Sequence, residues 1–515
     1  NSLGFSGFTG PAMKVMSSFK RWLTYGVTIS PAFRIRNVIR DSISMIGTNP
    51  ASYNVLDNVL TGWKLTAEDS PTYASMIAGG GVIRFGTMET ESAANIKRLV
   101  DSGVEAGTIL DSPAKVKAML KTAYDWWMHM GDRSENMNRA ALYQKLRDEG
   151  RSHLEASYAA RDTMDFSMQG TWSAIRFLAQ TVPFFNARLQ GMYKLGRGAA
   201  EDPRRFSYVV GGAALASIAL LLAYQDDDDW KQREHFDRET YWWFKIGNTA
   251  FRIPKPFEIG ALATIAERGL EAMITDDLTG KQFVKRIGSI VGQQLSMNPV
   301  PQLFMPMIET WANRDAFTGR PIESMGMDRL SPAERISPYT SAFAQLVGKN
   351  GVVSPVQIDH LINGYFGWLG THAVATADLA LRPTMGLPEK PAMRIDDVFT
   401  IGDFARSMPA YQSKYVTDLY EQGKEVQEAM ADLRAAQKIG ATEKVAEILK
   451  DKGDKIKLYR LYTHAEKQLT QINQQIKMVQ RREGDADAKR ARLDQLYSQK
   501  NRVAKITEER AQATR

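Results

Sequence analysis

The side chains from which a metal centre would first be built are six histidines, His129, His153, His235, His360, His372 and His464, and no two stand at ligand spacing. There is no cysteine, which removes disulfides and thiolate chemistry of every kind. The segment DLTGKQF contains a Gly-Lys pair, but Thr275 stands where a phosphate loop needs its first glycine, and Gln282 replaces the Ser/Thr. Gly79–Gly81 lacks the strand, lysine and helix that would make it a phosphate cradle. Asp226–Asp229 are consecutive, so they cannot all aim at one cation, and a solvated stop signal is the expected reading. No G-x-S-x-G occurs. No catalytic residue, metal site or cofactor is expected, and the chain reads as non-enzymatic.

Charge is the next resource. Of a formal net charge of +8, most sits at the end of the chain, where Asp451–Arg515 holds 16 Lys/Arg against 9 Asp/Glu. Two readings stand: a solvated helical face, or contact with nucleic acid or anionic lipid, for which Lys489, Arg490 and Arg492 are the phosphate candidates. A second polar group lies in SPAFRIRNVIRD, where Arg36 and Arg40, like Asn37 and Asp41, are four residues apart and share one helix face.

These residues need helices to place them. Ser30–Pro31 and Ser112–Pro113 are N-cap and first-turn signals. Pro183 should kink or restart the helix within TVPFFNARLQGMYKLGR. TYWWFKI and TAFRI flank Gly247-Asn248 and predict a β-hairpin near 240–253. AGGGVIRFG is expected to be a flexible break, and GYFGWLGTHAVATADLAL a small-residue helix. Towards the C-terminus, Leu469, Ile472, Ile476 and Val479 form one coiled-coil-like seam. Leu493, Leu496, Val503 and Ile506 begin a second, with Lys500 at an inward position. Gly484 between them fits an antiparallel hairpin or a partner-binding arm.

Phe206–Gln225 is uncharged, is bracketed by Arg204–Arg205 and Asp226–Asp229, and is long enough to span a bilayer core. Gly212 with Ala216, and Ala213 with Ser217, set small residues one turn apart. Phe206, Val209, Gly212, Ala216, Leu220, Leu221 and Leu222 are the expected membrane or helix-packing residues. A buried helix of a soluble bundle fits the same pattern. FRIPKPFEIG then reads as a rigid strand-to-helix joint built from Arg252, Pro254, Lys255, Pro256 and Glu258. The prolines stop pairing, Lys255 is expected at the surface, and Glu258 falls in the first turn of the next helix.

In this order, SPAFRIRNVIRD, TVPFFNARLQGMYKLGR, an apolar helix and YWWFKI…FRIPKPFEIG resemble a large polyvalent protein-associated domain. Such domains lie near the C-terminal ends of very long phage proteins, especially internal virion or DNA-ejection proteins of short-tailed phages. The resemblance runs from about Phe5 to Glu271, and more loosely over the helical remainder. It implies a protein packaged inside the capsid near the portal, then expelled to help build a DNA conduit across the host envelope. Relatives often carry a lytic transglycosylase module nearer the N-terminus. This chain shows none, and its first residue, Asn1, fits the C-terminal portion of a longer protein.

The resulting expectation is a mainly α, elongated multi-helical protein in four segments: a helical region (1–200), the apolar helix, hairpin and joint (201–270), a helix-and-loop region (271–400), and polar basic helices (401–515). Its expected partners are further copies of itself, other ejection proteins with the portal or tail, phage DNA held non-specifically, and host membrane. Its expected places are the virion interior and then the host envelope. A capsid-retained core or portal-associated protein, a membrane-active or peptidoglycan-degrading enzyme, and a DNA-binding packaging protein are the rival readings.

Overall fold

The computed structural model describes residues 10–48, 55–67, 70–82, 113–163, 172–247, 249–274, 300–316, 339–398, 400–411 and 413–514, with shorter stretches between 283 and 290 and between 320 and 337. DLTGKQ and most of VIRFG lie outside the described residues. In chain order the helices begin α1 (Pro11–Thr28), α2 (Pro31–Thr48), α3 (Val55–Leu65), α4 (Pro71–Ala78), α5 (Pro113–Asp148) and α6 (His153–Asp162). Next come α7 (Ser173–Thr181), α8 (Phe185–Glu201), α9 (Pro203–Tyr224), α10 (Asp228–Gln232) and α11 (His235–Thr240). Strands β1 (Tyr241–Ile246) and β2 (Thr249–Pro254) precede α12 (Phe257–Ile274), α13 (Met305–Ala312), α14 (Ala342–Gly348) and α15 (Pro355–Thr384). A two-residue β3 (Ala405–Arg406) leads to α16 (Lys414–Lys438), α17 (Thr442–Lys457), α18 (Tyr459–Arg481) and α19 (Ala486–Thr514). The protein is mainly α with one small antiparallel sheet.

The chain divides into two units with interleaved segments. The first comprises 1–218, 254–304 and 366–369, the second 219–253, 305–365 and 370–515. In the first, the helix starts are chemically explicit. Ser70 accepts from the Tyr73 amide at 3.3 Å, and Ser152 and Glu155 form a reciprocal capping box. Pro183 does break the motif that contains it: α7 stops at Thr181, and Phe184 takes a left-handed φ of 57° before α8 begins. Helix α5 is the spine of this unit, meeting α2, α3 and α6. Its contact with α3 needs glycine, since a Cβ on Gly62 would lie 2.0 Å from the Met137 carbonyl oxygen. Met76, Ala140, Tyr143, Ala156 and Ala160 fill the core beside it.

In the second unit, β1 and β2 form the expected hairpin, and β3 adds to β2 antiparallel with Ala250 opposite Arg406 and Phe251 opposite Ala405. That third strand is too short to carry a sequence period. Helix α15 opens on a Ser354–Gln357 capping box and bends at Gly367, whose φ is 57°.

The C-terminal helices α18 and α19 pair as an antiparallel hairpin with α16 against it. The α18 stripe matches the expected spacing, with Leu469, Ile472 and Ile476 buried. On α19 the expected seam shifts. Leu493, Leu496, Tyr497, Lys500, Ala504, Thr507 and Ala511 are buried, whereas Val503 lies on the flank and Ile506 is 40 % exposed. Small Ala504 and Ala511 let α19 approach the cluster of Leu458, Tyr462, Ala465 and Leu469 closely, so the stripe follows the small residues rather than the large ones. Lys500 is inward, as its position predicts, with Nζ 4.7 Å from the centre of the Tyr411 ring, and burial lowers its pKa to about 8.

The hairpin therefore makes an unequal prediction for two branched side chains. Leu469→Ala should lower stability in urea denaturation by ~2–5 kcal/mol, and Ile506→Ala by ~0.5 kcal/mol or less. Equal losses would place Ile506 in the seam.

Candidate functional site

The apolar stretch forms α9, which is long and apolar enough to cross a membrane, and only 17 % of its most apolar window is buried. Ala213, Ser217 and Leu221, spaced four apart, make its buried stripe. Tyr208, Leu215 and Leu222 are 80, 69 and 50 % exposed, and Gly212 and Ala216 are exposed with them. Phe206, Val209 and Leu220 are half-buried. The two small-residue pairs read from the sequence thus separate, one packed and one facing outward.

Each end of α9 is fixed by polar bonds. Asp202 accepts from the Arg205 amide at 3.1 Å, and Arg205 Nε donates to the Ile46 carbonyl at 2.8 Å. Beneath Val209, a Cβ on Gly47 would fall 3.2 Å from Val209 Cγ1 and 2.9 Å from Ile259 Cδ1. At the far end the Tyr224 ring meets Trp243 edge-on at 5.2 Å, and its hydroxyl accepts from the Lys245 amide at 3.1 Å. The acidic run that follows is only half solvated. Asp227 caps α10 and binds Lys245 at 2.6 Å, Asp229 binds the same lysine at 2.8 Å, and Asp226 and Asp228 are exposed.

Behind α9, in the first unit, the motif segments converge on a group of charges, of which Arg139 and Glu258 are buried and the rest half-buried. Helix α2 supplies Arg40 and Asp41, α5 supplies Glu135 and Arg139, α8 supplies Arg188, and α12 supplies Glu258. Burial pushes the Asp41 carboxyl up to about 6 against the pull of Arg40 and Arg139. Burial, with the Asp41 and Asp132 charges, lifts Glu135 to about 7 despite Arg139. Burial also raises Glu258, opposed by its backbone hydrogen bond and by Arg188 and Arg40. Gly191 leaves room for that carboxylate, since a Cβ there would stand 2.2 Å from Glu258 Oε1. Ser42 and Asn138 exchange hydrogen bonds of 3.2 and 3.1 Å in the same layer.

The four-residue polar face of α2 is therefore turned inward. Arg40 and Asp41 join the charge group, Asn37 lines a cavity of about 30 Å³ with Arg34 and Glu135, and Arg36 is half-buried. Glu135 and Arg139 were missed in the sequence. The signal was the polar run GDRSENMNR inside an otherwise amphipathic helix, where ionisable residues on the inner face demand partners.

The Pro-Lys-Pro joint departs from expectation at its centre. Lys255 is 4 % exposed, and its Nζ donates to Thr264 Oγ1 at 3.0 Å and pairs with Glu267 at 2.6 Å. Arg268 in turn pairs with Glu267 at 3.5 Å and with Glu271. Because α12 begins directly after Pro256, the lysine folds back over the next two turns and meets those acids. Arg252, three residues earlier and in the second unit, pairs with Asp237 at 2.6 Å and lies 4.1 Å over the Tyr241 ring. Arg233 binds the same carboxylate at 2.7 Å. Although burial raises Asp237, Arg233, Arg252 and Arg406 hold it well below the usual carboxylate range.

The C-terminal basic group is largely spent inside the protein. Lys489 Nζ donates to the Glu389 carbonyl at 2.8 Å, Arg490 Nε to the Ala392 carbonyl at 2.7 Å, and Arg490 pairs with Asp397 at 3.0 Å. Of the three phosphate candidates only Arg492 is exposed, so Lys489 and Arg490 act here as ties between α19 and the 388–397 loop. Among the described residues, no group of three or more His, Asp or Glu is placed to hold a metal.

Residues 227–401 match the family model for large polyvalent protein associated domain 38. The matched segment takes in α10, the hairpin, the joint, α12 and α15, and it overlaps the region of sequence resemblance between 227 and 271. No curated protein and no solved structure matches the chain.

The buried carboxylates give a pH prediction. Their folded pKa values lie above the ordinary 3.8 and 4.5, so the native state holds protons that the unfolded chain has released. Their contribution to stability is full below about pH 4 and is lost as pH rises through about 6 to 7. Glu135→Gln should flatten that fall and raise stability at about pH 8 by on the order of 1–3 kcal/mol, read from denaturation midpoints across pH. An unchanged pH slope would remove Glu135 from the titrating group.

Proposed function

We propose that this phage-associated chain, which carries the large polyvalent protein associated domain, is a structural virion protein. It leaves the capsid and oligomerises in the host envelope as part of a conduit for DNA. The observation that carries the reading is α9, a helix of membrane-spanning length whose outward side is Tyr208, Gly212, Leu215, Ala216 and Leu222. An uncharged surface of that kind in water is unfavourable by about 25 cal/mol per Å², so lipid or a neighbouring subunit is its natural cover. Gly212 and Ala216 permit the close helix approach that assembly within a bilayer uses. The mechanism is physical. Copies pack side by side, α9 meets lipid, and a weakly basic wall passes DNA without gripping it. The engagement of Lys489 and Arg490 within the fold supports this reading over a packaging protein that binds DNA through those residues.

On this reading the protein resides first in the virion near the portal and then in the host envelope, alongside other ejection proteins. Flotation of the purified chain with anionic liposomes, followed by an alkaline carbonate wash, is the test. The wild type should float and resist the wash. A Leu215→Glu, Leu222→Glu double variant should not, since a charge at Leu215, near the centre of the span, is unfavourable by roughly 2.5–3.5 kcal/mol, and one at Leu222, near its end, adds a smaller cost. A wild-type chain that stays at the bottom as a soluble oligomer would favour a capsid-retained core instead.

A further inference from the structure

The second unit holds a groove of about 620 Å³ between the β2–β3 ladder, the 394–409 loop and α19. Its charges are almost all accounted for. Asp229 is bound by Lys245 at 2.8 Å. Arg394 binds Asp494 and donates to the Pro409 carbonyl at 2.9 Å. Arg406, on the last position of β3, is different: among the described residues its guanidinium makes no hydrogen bond and no ion pair, although it is half-buried. The groups around it explain why. Arg252 faces it and is already matched to Asp237, which Arg233 shares. Arg320 feels its charge and is matched to Glu234. Asp396 contributes a favourable field without forming an ion pair. Around the same groove the hydroxyls of Thr249, Ser407 and Ser498 also make no hydrogen bond among the described residues. The Gln232 side chain uses only its oxygen, accepting from Asn501 at 3.2 Å.

A half-buried guanidinium with no ion pair of its own, ringed by unspent hydroxyl donors and with the two acids that line the groove, Asp229 and Asp494, already paired, is complementary to a tetrahedral oxyanion. We propose that this groove binds a phosphate group, with Arg406 as its principal contact and Thr249, Ser407 and Ser498 as hydroxyl donors. The phosphate is either free or part of a nucleic-acid backbone, because the recognising chemistry is the same. The site is independent of α9, so it stands or falls apart from the membrane reading.

The test is calorimetric titration of the full chain with inorganic phosphate, against chloride at matched ionic strength, and separately with a thymidine pentanucleotide. Saturable binding of one phosphate per chain is expected. Arg406→Gln should weaken it about tenfold or more, the range for a hydrogen bond to a charged group, while Lys424→Gln on the exposed side of α16 should leave it unchanged. Arg406→Lys keeps the charge and should retain part of the affinity. Thr249→Val with Ser498→Ala, which alters no charge, should weaken binding about threefold, an effect that simple ionic screening would not give. Far-UV circular dichroism checks that each variant is folded, and the hydroxyl pair serves where Arg406→Gln is not. If the pentanucleotide competes with phosphate and shows the same Arg406 dependence, the source is a nucleic-acid backbone. If only inorganic phosphate binds, it is the free ion. No binding above the chloride control, or equal binding by wild type and the folded Arg406 and hydroxyl variants, overturns the proposal.

Discussion

Charge held away from water is the constraint on which the first unit turns. Asp41, Glu135 and Glu258 come from three helices, and each is made harder to ionise by its surroundings, with Arg40, Arg139 and Arg188 as the compensating groups. Such a cluster adds little net stability, because desolvation offsets much of the attraction, but removing an arginine from it would leave carboxylates uncompensated. Its value is geometric. α2, α5, α8 and α12 can be joined in only one register if every carboxylate is to keep its guanidinium. The backbone concessions sit where that register demands them, at Gly191 under the Glu258 carboxylate and at Gly47 under Val209 and Ile259. A sliding of α12 by one residue would turn Glu258 away from Arg188 and bring a different side chain against Gly191.

The second unit solves the same problem with a different chemistry. Around the hairpin the buried arginines share acids, as Arg233 and Arg252 share Asp237, and aromatic faces supplement those pairs. Arg238 lies 4.0 Å over Trp230, Arg252 4.1 Å over Tyr241, and Arg233 5.5 Å over Trp243. Arginine suits this because its planar cation is weakly hydrated and stacks while still donating hydrogen bonds. The tryptophans and tyrosine of TYWWFKI are therefore both the apolar filling of the sheet and the partners of its charges. Arg252 and Lys255, three residues apart across Pro254, illustrate how local the division is, since each belongs to the buried network of its own unit.

Much of this architecture was legible because local chemistry and final structure agree. Ser-Pro starts, the break at Pro183, the Gly247 hairpin and the 3-4-3 spacing of α18 are decided within a few residues, and no distant contact opposes them. What the sequence concealed is pairing at long range. Lys255 looks like a surface lysine until α12 brings Glu267 over it, and Lys489 and Arg490 look like a basic patch until the 388–397 loop presents its carbonyls. β3 is two residues long and has meaning only beside β2. Ile506 failed for another reason. Hydrophobicity nominated it, but close packing of α19 rewards small Ala504 and Ala511, and the helix rotates to bury them.

The same logic of small residues bears on α9. Its fully buried stripe consists of an alanine, a serine and one leucine, so taking that side out of the protein would forfeit the burial of Leu221, about 1.5–3 kcal/mol, together with part of that of the half-buried Phe206, Val209 and Leu220. Its outward side offers Tyr208, Leu215 and Leu222, and covering each with lipid or protein returns a comparable amount. The inward and outward sides are therefore closely matched in apolar area, and leaving the outward face uncovered is what costs the helix. Among the polar contacts that oppose its release are the Arg205 bond to the Ile46 carbonyl and the Tyr224 bond to the Lys245 amide, both at helix ends, where headgroup and water can replace them, and that of the buried Ser217 nearer its middle. On the membrane reading proposed above, a helix whose charged side-chain contacts lie at its ends is the kind that lipid can cover along its outward side while its inward stripe stays packed.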